Sequence, residues 1–219
     1  RLQRIDDAVR CIREAARLIP NFVPPERFKT LMEEAETTQR GEYDQLISDA
    51  EASKNPRQKA RRFHEAAEIL IGMNPQDEKV EELLTQSLDL DARNEKAKVA
   101  LQTFYQLNER WNSLADFLIV RLEGTQRRSD RLEILKQLAY LTENALSDEE
   151  GSAEWHREVL KLNPIDETSV DFCVNYYHRN EMWTSLVEVY EAALRMRRRG
   201  EDEGEMLFQI AMILWKKVI

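Results

Sequence analysis

Two stretches of the chain repeat one another at a fixed offset of 72 residues, and this repetition limits the fold more than any other feature. One runs Leu88-Asp-Leu90-Asp-Ala-Arg-Asn94, then Phe104-Tyr105, then Trp111-Asn-Ser-Leu114. The other runs Leu160-Lys-Leu162-Asn-Pro-Ile-Asp166, then Tyr176-Tyr177, then Trp183-Thr-Ser-Leu186. Self-similarity at such a spacing is the mark of a repeat architecture, in which each unit buries its apolar face only against its neighbours. Halving the offset gives a unit of 36 residues, marked by Pro20, Pro56, Ala92, Arg128, Pro164 and Gly200. Three of these marks are proline and one is glycine, which suits residues closing the second helix of a unit.

The spacing within a unit is helical. Ala8, Ile12 and Ala15 fall at i, i+4 and i+7, and Leu135, Leu138 and Leu141 at i, i+3 and i+6, each along one helix face. Six glycines and six prolines are too few for the turns of a sandwich or barrel. About eleven helices are expected. The first covers about 3–18. Antiparallel pairs follow at 26–38 with 42–53, 58–72 with 77–89, 95–107 with 111–123, 131–145 with 149–161, and 167–179 with 183–197. A last helix begins near 204. Loops are expected at 21–25, Arg40-Gly41, Asn74-Pro75, Gly124-Thr125, Ser147 to Gly151 and Arg199 to Gly204. Acidic residues after Pro25 and at Asp148-Glu149-Glu150 suit helix starts, where the dipole favours negative charge.

The second helix Ala8, Ile12, Ala15, Pro20 resembles that of the tetratricopeptide repeat (TPR) family in all four places. Ser152, His156, Val159 and Pro164 repeat the spacing, with His and Val as departures. Phe63, Ala66, Ala67 and Leu70 resemble the family's first helix, as do Leu207, Ile210, Ala211 and Leu214. Gln102 and Val174 replace the usual small residue, Trp111 and Trp183 open the second helix, and the units run longer than the family's roughly 34 residues. The resemblance implies an all-α, right-handed superhelical solenoid of antiparallel helix pairs. It covers 1–219 as a single array, with units at about 1–20 (partial), 21–56, 57–92, 93–128, 129–164, 165–200 and 201–219 (partial). Tyr105, Tyr177, Leu118 and Tyr190 are the expected packing residues between helices, and Ala15, Ala35, Ala67, Ala139 and Ala211 the points of close approach. A related helix-pair repeat, the half-TPR type of RNA-processing scaffolds, is the alternative family.

Chemistry finds little purchase in this sequence. His64, His156 and His178 stand in different units, with no His-x-x-x-His or Cys-x-x-Cys pair to hold a metal. No cluster of glycines forms a phosphate loop, and no nucleophile with a base and an orienting group can be assembled, so neither a cofactor nor an enzyme activity is expected. His156 sits at a core-like place, and Cys173 on an apolar helix face reads as a buried thiol. Cys11 and Cys173 lie far apart, which fits a reducing compartment and points to the cytoplasm. No apolar run approaches the roughly 18 residues of a membrane span. The chain starts at Arg1 without methionine and ends inside a helical pattern, so it reads as a fragment whose missing N-terminus could carry a targeting signal.

A formal charge of -9 disfavours general binding to nucleic acid. Two arginine groups stand out against it: Arg127, Arg128 and Arg131, and 72 residues on Arg195, Arg197, Arg198 and Arg199. Cations at helix C-termini are favoured by the dipole, and a patch for acidic segments or phosphate is the other reading. The TPR resemblance also implies a concave groove lined by first helices. Carried onto this sequence, the groove comprises Arg61, His64, Glu68, Lys96, Thr103, Gln106, Glu133, Lys136, Tyr140, Asp171, Asn175 and His178. Asn175 falls where some relatives place the asparagine of a carboxylate clamp, but Asp171 replaces its lysine neighbour. The expected function is a non-catalytic scaffold binding a protein or peptide along that groove. A half-TPR-type repeat of an RNA-processing or RNA-binding assembly is the alternative. Self-association through exposed repeat ends is a further expectation.

Overall fold

In a computed structural model, residues 8–9, 11–12, 15, 18–19, 26–196 and 201–215 are described, and the elements among them are α-helices, the last passing into a π-helical turn at 214–215. Ten helices follow one another: α1 Glu26–Ala52, α2 Pro56–Met73, α3 Glu78–Leu90, α4 Glu95–Leu107, α5 Trp111–Gly124, α6 Arg128–Asn144, α7 Glu149–Leu162, α8 Glu167–Arg179, α9 Trp183–Met196 and α10 Glu201–Ile213. Most of the expected helix at 3–18, with Pro20, the loop at 21–25, and Arg197 to Gly200, lies outside the described residues.

The largest departure from expectation is α1. The segments 26–38 and 42–53 form one unbroken helix of 27 residues; with that merger, and with the helix expected at 3–18 lying mostly outside the described residues, ten continuous helices stand among them. Arg40-Gly41 is therefore not a loop. A lone glycine costs a helix only about 1 kcal/mol relative to alanine, and no proline or capping residue stands beside it to stop the ladder. The role of Pro56 also differs. It opens α2, preceded by Asn55, whose side chain accepts from the Arg57 and Gln58 N–H groups at 3.0 and 3.4 Å. Proline has no N–H to lose there and its fixed φ suits a first turn. Arg128 likewise opens α6, whereas Ala92 and Pro164 lie in turns between helices.

The 72-residue repeat is kept to the residue at three of the four helix starts it relates, those of α3 and α7 lying 71 apart. The starts of α2 and α6, of α4 and α8, and of α5 and α9 are each 72 positions apart. The caps repeat with them. Asn94 Oδ1 accepts from Ala97 N–H, and Asp166 Oδ1 from Ser169 N–H, both at 3.3 Å. Asn108 and Asn180 each donate from Nδ2 to the carbonyl four residues back, at 2.8 and 2.9 Å. Glu109 and Glu181, also 72 apart, both adopt left-handed backbone with φ of 53° and 56°. A non-glycine residue held there costs on the order of 1 kcal/mol, so the turn is imposed by the helices on either side. The 36-residue half-period is looser, because a long first helix (α2, 18 residues; α6, 17) alternates with a short one (α4 and α8, 13 each).

The chain divides into two compact units, Arg1–Glu109 and Arg110–Ile219. In unit 1, α1 packs on α2, α2 on α3 and α3 on α4. Its core gathers Phe63, Ala66, Ala67, Leu70, Val80, Leu84, Leu101 and Phe104. In unit 2, α5 through α10 each pack on the next, and one core cluster joins Leu160, Cys173, Tyr177, Leu186, Val189 and Ile210. Burial of this apolar area, at roughly 25 cal/mol per Å², is the main force holding each hairpin to its neighbour. Tyr105, Tyr177 and Leu118 are buried as expected and Tyr190 half-buried. Ala35, Ala67 and Ala139 are buried points of close approach, and Ala15 is half-buried. Ala211 is exposed instead, since nothing among the described residues covers that face of α10.

Candidate functional site

Helices α2 and α4 run side by side in unit 1, two steps apart in the chain. Between them lies an open furrow of about 520 Å³. Its floor and walls are Ile71, Pro75, Val99, Ala100, Phe104 and Leu107, and its rim is His64, Glu68, Glu95, Lys96 and Thr103. Val99 is 62% exposed and Leu107 56%, although the other face of their helix is packed. On α4 the apolar residues span two faces. Ala97, Leu101 and Tyr105 point into the core, while Val99, Ala100 and Leu107 point into the furrow. A surface helix normally needs only the first stripe.

Four residues expected in a groove, His64, Glu68, Lys96 and Thr103, line this furrow. Buried His64 lies 3.8 Å from the Glu68 carboxylate through Nδ1. Glu95 is held by Lys98 at 2.8 Å. Arg61 faces a different cavity near Asp49 and Gln58, and its Nε bonds Glu65 at 2.8 Å. Gln106 is exposed on α4 but does not line the furrow. The apolar lining escaped sequence reading because only polar positions were carried over from the resemblance. The signal was present in the run Val99, Ala100, Thr103, Phe104, Leu107, which repeats helically beside the core stripe.

In unit 2 the expected residues Glu133, Lys136, Tyr140, Asp171, Asn175 and His178 are all exposed. Lys136 pairs with the buried Asp166 at the head of α8, and His178 meets the Trp183 ring edge-on at 5.6 Å. The positions 72 residues after the furrow's Ile71, Val99 and Leu107 are Glu143, Asp171 and Arg179. The second copy has thus replaced apolar lining by charge.

The arginines are engaged with backbone. Arg131 donates to the carbonyls of Leu122 and Thr125 at 2.9 and 3.1 Å, closing the end of α5, and Arg128 donates to the Leu162 carbonyl at the end of α7. Arg195 bonds the Glu191 carbonyl at 3.2 Å, and Arg127 is exposed. The Arg131 and Arg128 contacts satisfy carbonyls at helix ends, and all three contacts place cations near the negative dipole end. Arg197, Arg198 and Arg199 lie outside the described residues.

A buried polar chain crosses unit 2. His156 Nδ1 lies 3.0 Å from Ser169 Oγ, which bonds Asp166 Oδ1 at 3.0 Å, and the ring stacks on Phe172 at 4.3 Å between centroids. Lys136 and the Ser169 groups hold the Asp166 carboxyl below the usual range against the opposing effect of burial. Asp, Ser and His side by side invite comparison with a nucleophile and its base. Here, however, the serine stands between the acid and the ring and is only 1% exposed, so no substrate could meet it. Burial pushes the Cys173 thiol up to about 11. Among the described residues no group of His, Cys, Asp and Glu gathers with the geometry of a metal site, and no helix is long and apolar enough to cross a membrane.

No family model matches the chain, and no curated protein does. The fold is all-α, with successive helices packed in tandem repeat within each unit. Two solved structures share its helical pattern. A structure from the functional characterization of Pseudomonas aeruginosa PilF is 12% identical, covers 83% of this chain and 88% of its own, and superposes with a TM-score of 0.39. The crystal structure of the P58(IPK) TPR domain is 15% identical, with 98% and 76% covered and a TM-score of 0.26. At such scores neither likeness carries an argument about this chain.

Proposed function

We propose that the chain is a non-catalytic protein-interaction scaffold whose TPR-like unit 1 receives an apolar-anchored peptide segment of a protein partner between α2 and α4. The observation supporting this reading is the furrow itself, with Val99 and Leu107 more than half exposed above an apolar floor. Concave apolar surface with a few polar groups at its rim is the usual form of a ligand site. Lys96 at one edge and Glu68 at the other would set the direction of the bound segment through charge. In the same reading Glu133, Lys136, Tyr140, Asp171, Asn175 and His178 offer a polar face to the partner in unit 2. The setting is cytoplasmic, in keeping with two unpaired cysteines. The RNA-binding alternative is less well supported, because the net charge is -9 and the Arg128 and Arg131 guanidiniums are occupied by backbone carbonyls.

The test is a displayed random-peptide selection on the whole chain, followed by fluorescence polarisation with labelled winners. Peptides with two or more large apolar residues are expected. Val99→Glu combined with Leu107→Glu should weaken them at least about tenfold, near 1.4 kcal/mol or more. Helicity should not change, because both side chains are more exposed than buried. Equal binding to parent and double variant would sink the furrow as the site. Salt-sensitive capture of a labelled RNA oligonucleotide, indifferent to the same changes, would favour the alternative.

A further inference from the structure

The polar chain of unit 2 contains a proton position that its own geometry determines. A serine hydroxyl has one proton to give. Asp166, held ionised by Lys136, can only accept, so the Ser169 proton goes to Asp166 Oδ1. Ser169 Oγ is then an acceptor for His156, and the 3.0 Å contact requires that Nδ1 carry the ring proton. His156 Nε2 is left with a bare lone pair. That atom is buried and has no hydrogen-bond partner. Its nearest charged neighbour is Glu143 Oε2 at 3.9 Å, too far for a hydrogen bond and itself an acceptor. Two acceptors therefore face each other, and a proton added to Nε2 would sit buried 3.9 Å from the carboxylate, beyond hydrogen-bond reach. The charged groups around the ring are Glu143 and Lys136 on α6 and Asp166 at the head of α8, with Phe172 of α8 covering its face.

Unit 1 has no such device. At the positions 72 residues earlier, Leu84 stands for His156 and Ala97 for Ser169, both fully buried. The same helical scaffold thus accepts an apolar filling, and the ring in unit 2 is not needed to build the hairpin.

We propose that His156 is an acid-operated latch: neutral, it completes the packing of α6, α7 and α8, and protonated at Nε2 it loosens unit 2 and leaves unit 1 unchanged. The direction follows from the balance of surroundings. Burial disfavours the charged ring more than Glu143 and Asp166 favour it, so the folded chain takes the proton less readily than the unfolded chain. Stability is then complete above the ring's ordinary value of 6.5 and is lost as pH falls below it. One proton can change the folding equilibrium by at most about tenfold per pH unit.

The chain offers its own probe, since Trp111, Trp155, Trp183 and Trp215 all belong to unit 2 and unit 1 has no tryptophan. Urea unfolding of the whole chain, followed by tryptophan fluorescence at about pH 7.5 and about pH 5.5, reads unit 2 directly. The unfolding constant should rise several-fold at the lower pH. His156→Leu, the residue unit 1 already uses, should remove most of that rise. Glu143→Gln should steepen it, because the carboxylate that favours the charged ring is gone. A His156→Leu protein with the parent's full pH response would overturn the latch. Should that variant not fold at the higher pH, an unchanged response in Glu143→Gln would overturn it equally.

Discussion

The two cysteines show how far a residue's surroundings decide its chemistry. Cys11 is exposed, whereas Cys173 has no accessible surface and packs against Tyr177 among Leu160, Leu186 and Ile210. Burial raises the Cys173 thiol to about 11 and the Tyr177 hydroxyl to about 12. Near pH 8 the Cys173 thiolate is then under roughly 1% of the total, and access is blocked as well. One of the two thiols should therefore react promptly with Ellman's reagent in the native protein, and the second only on unfolding. Two equally fast thiols would contradict the packing around α8. Residue-level reading from sequence succeeded for such inward positions, His156 and Cys173 among them, because helical periodicity says which side a residue faces. It was less complete for the furrow. His64 and Glu68 could be named from the family pattern, but Val99 and Leu107 could not, since an apolar residue in sequence looks the same whether it faces the core or a ligand.

At the scale of elements, the starts of α5 and α9 at Trp111 and Trp183 and of α7 after Asp148 were legible, each from residues with a clear terminal preference. The failures share one physical cause. Gly41 and Pro56 were read by type, although each acts by position: glycine inside a helix is a small cost, and proline at a first turn is none. The Gly41 site is open, with no atom within 4 Å of an added Cβ. Gly41→Ala should then stabilise the protein by about 0.8 kcal/mol, visible as a higher urea midpoint. If 40–41 were a loop between two helices, the same change would be neutral or harmful.

For the molecule as a whole, the sequence disclosed the repeat more clearly than it disclosed the unit. The 72-residue offset was legible because matched landmarks sit at the same places in three consecutive helices. The 36-residue subdivision blurred because α2 and α4, though both first helices, differ by five residues. Division into two compact units has a thermodynamic corollary. Urea curves recorded by helical circular dichroism, which sees both units, should not coincide with those recorded by tryptophan fluorescence, which sees only unit 2. Superimposable curves would mean that the units unfold together as one cooperative block.

The alternation of long and short first helices also sets the grain at which this chain can be cut and rejoined. Removing 36 residues would splice the body of a long helix onto the frame of a short one, and caps such as Asn94 and Asn108 would lose their partners. Removing 72 would bring like to like: Glu181 would take the turn of Glu109, and Trp183 the start held by Trp111. The smallest piece that such an array can gain or lose without repair is therefore four helices, and growth of this lineage by duplication would proceed in steps of that size.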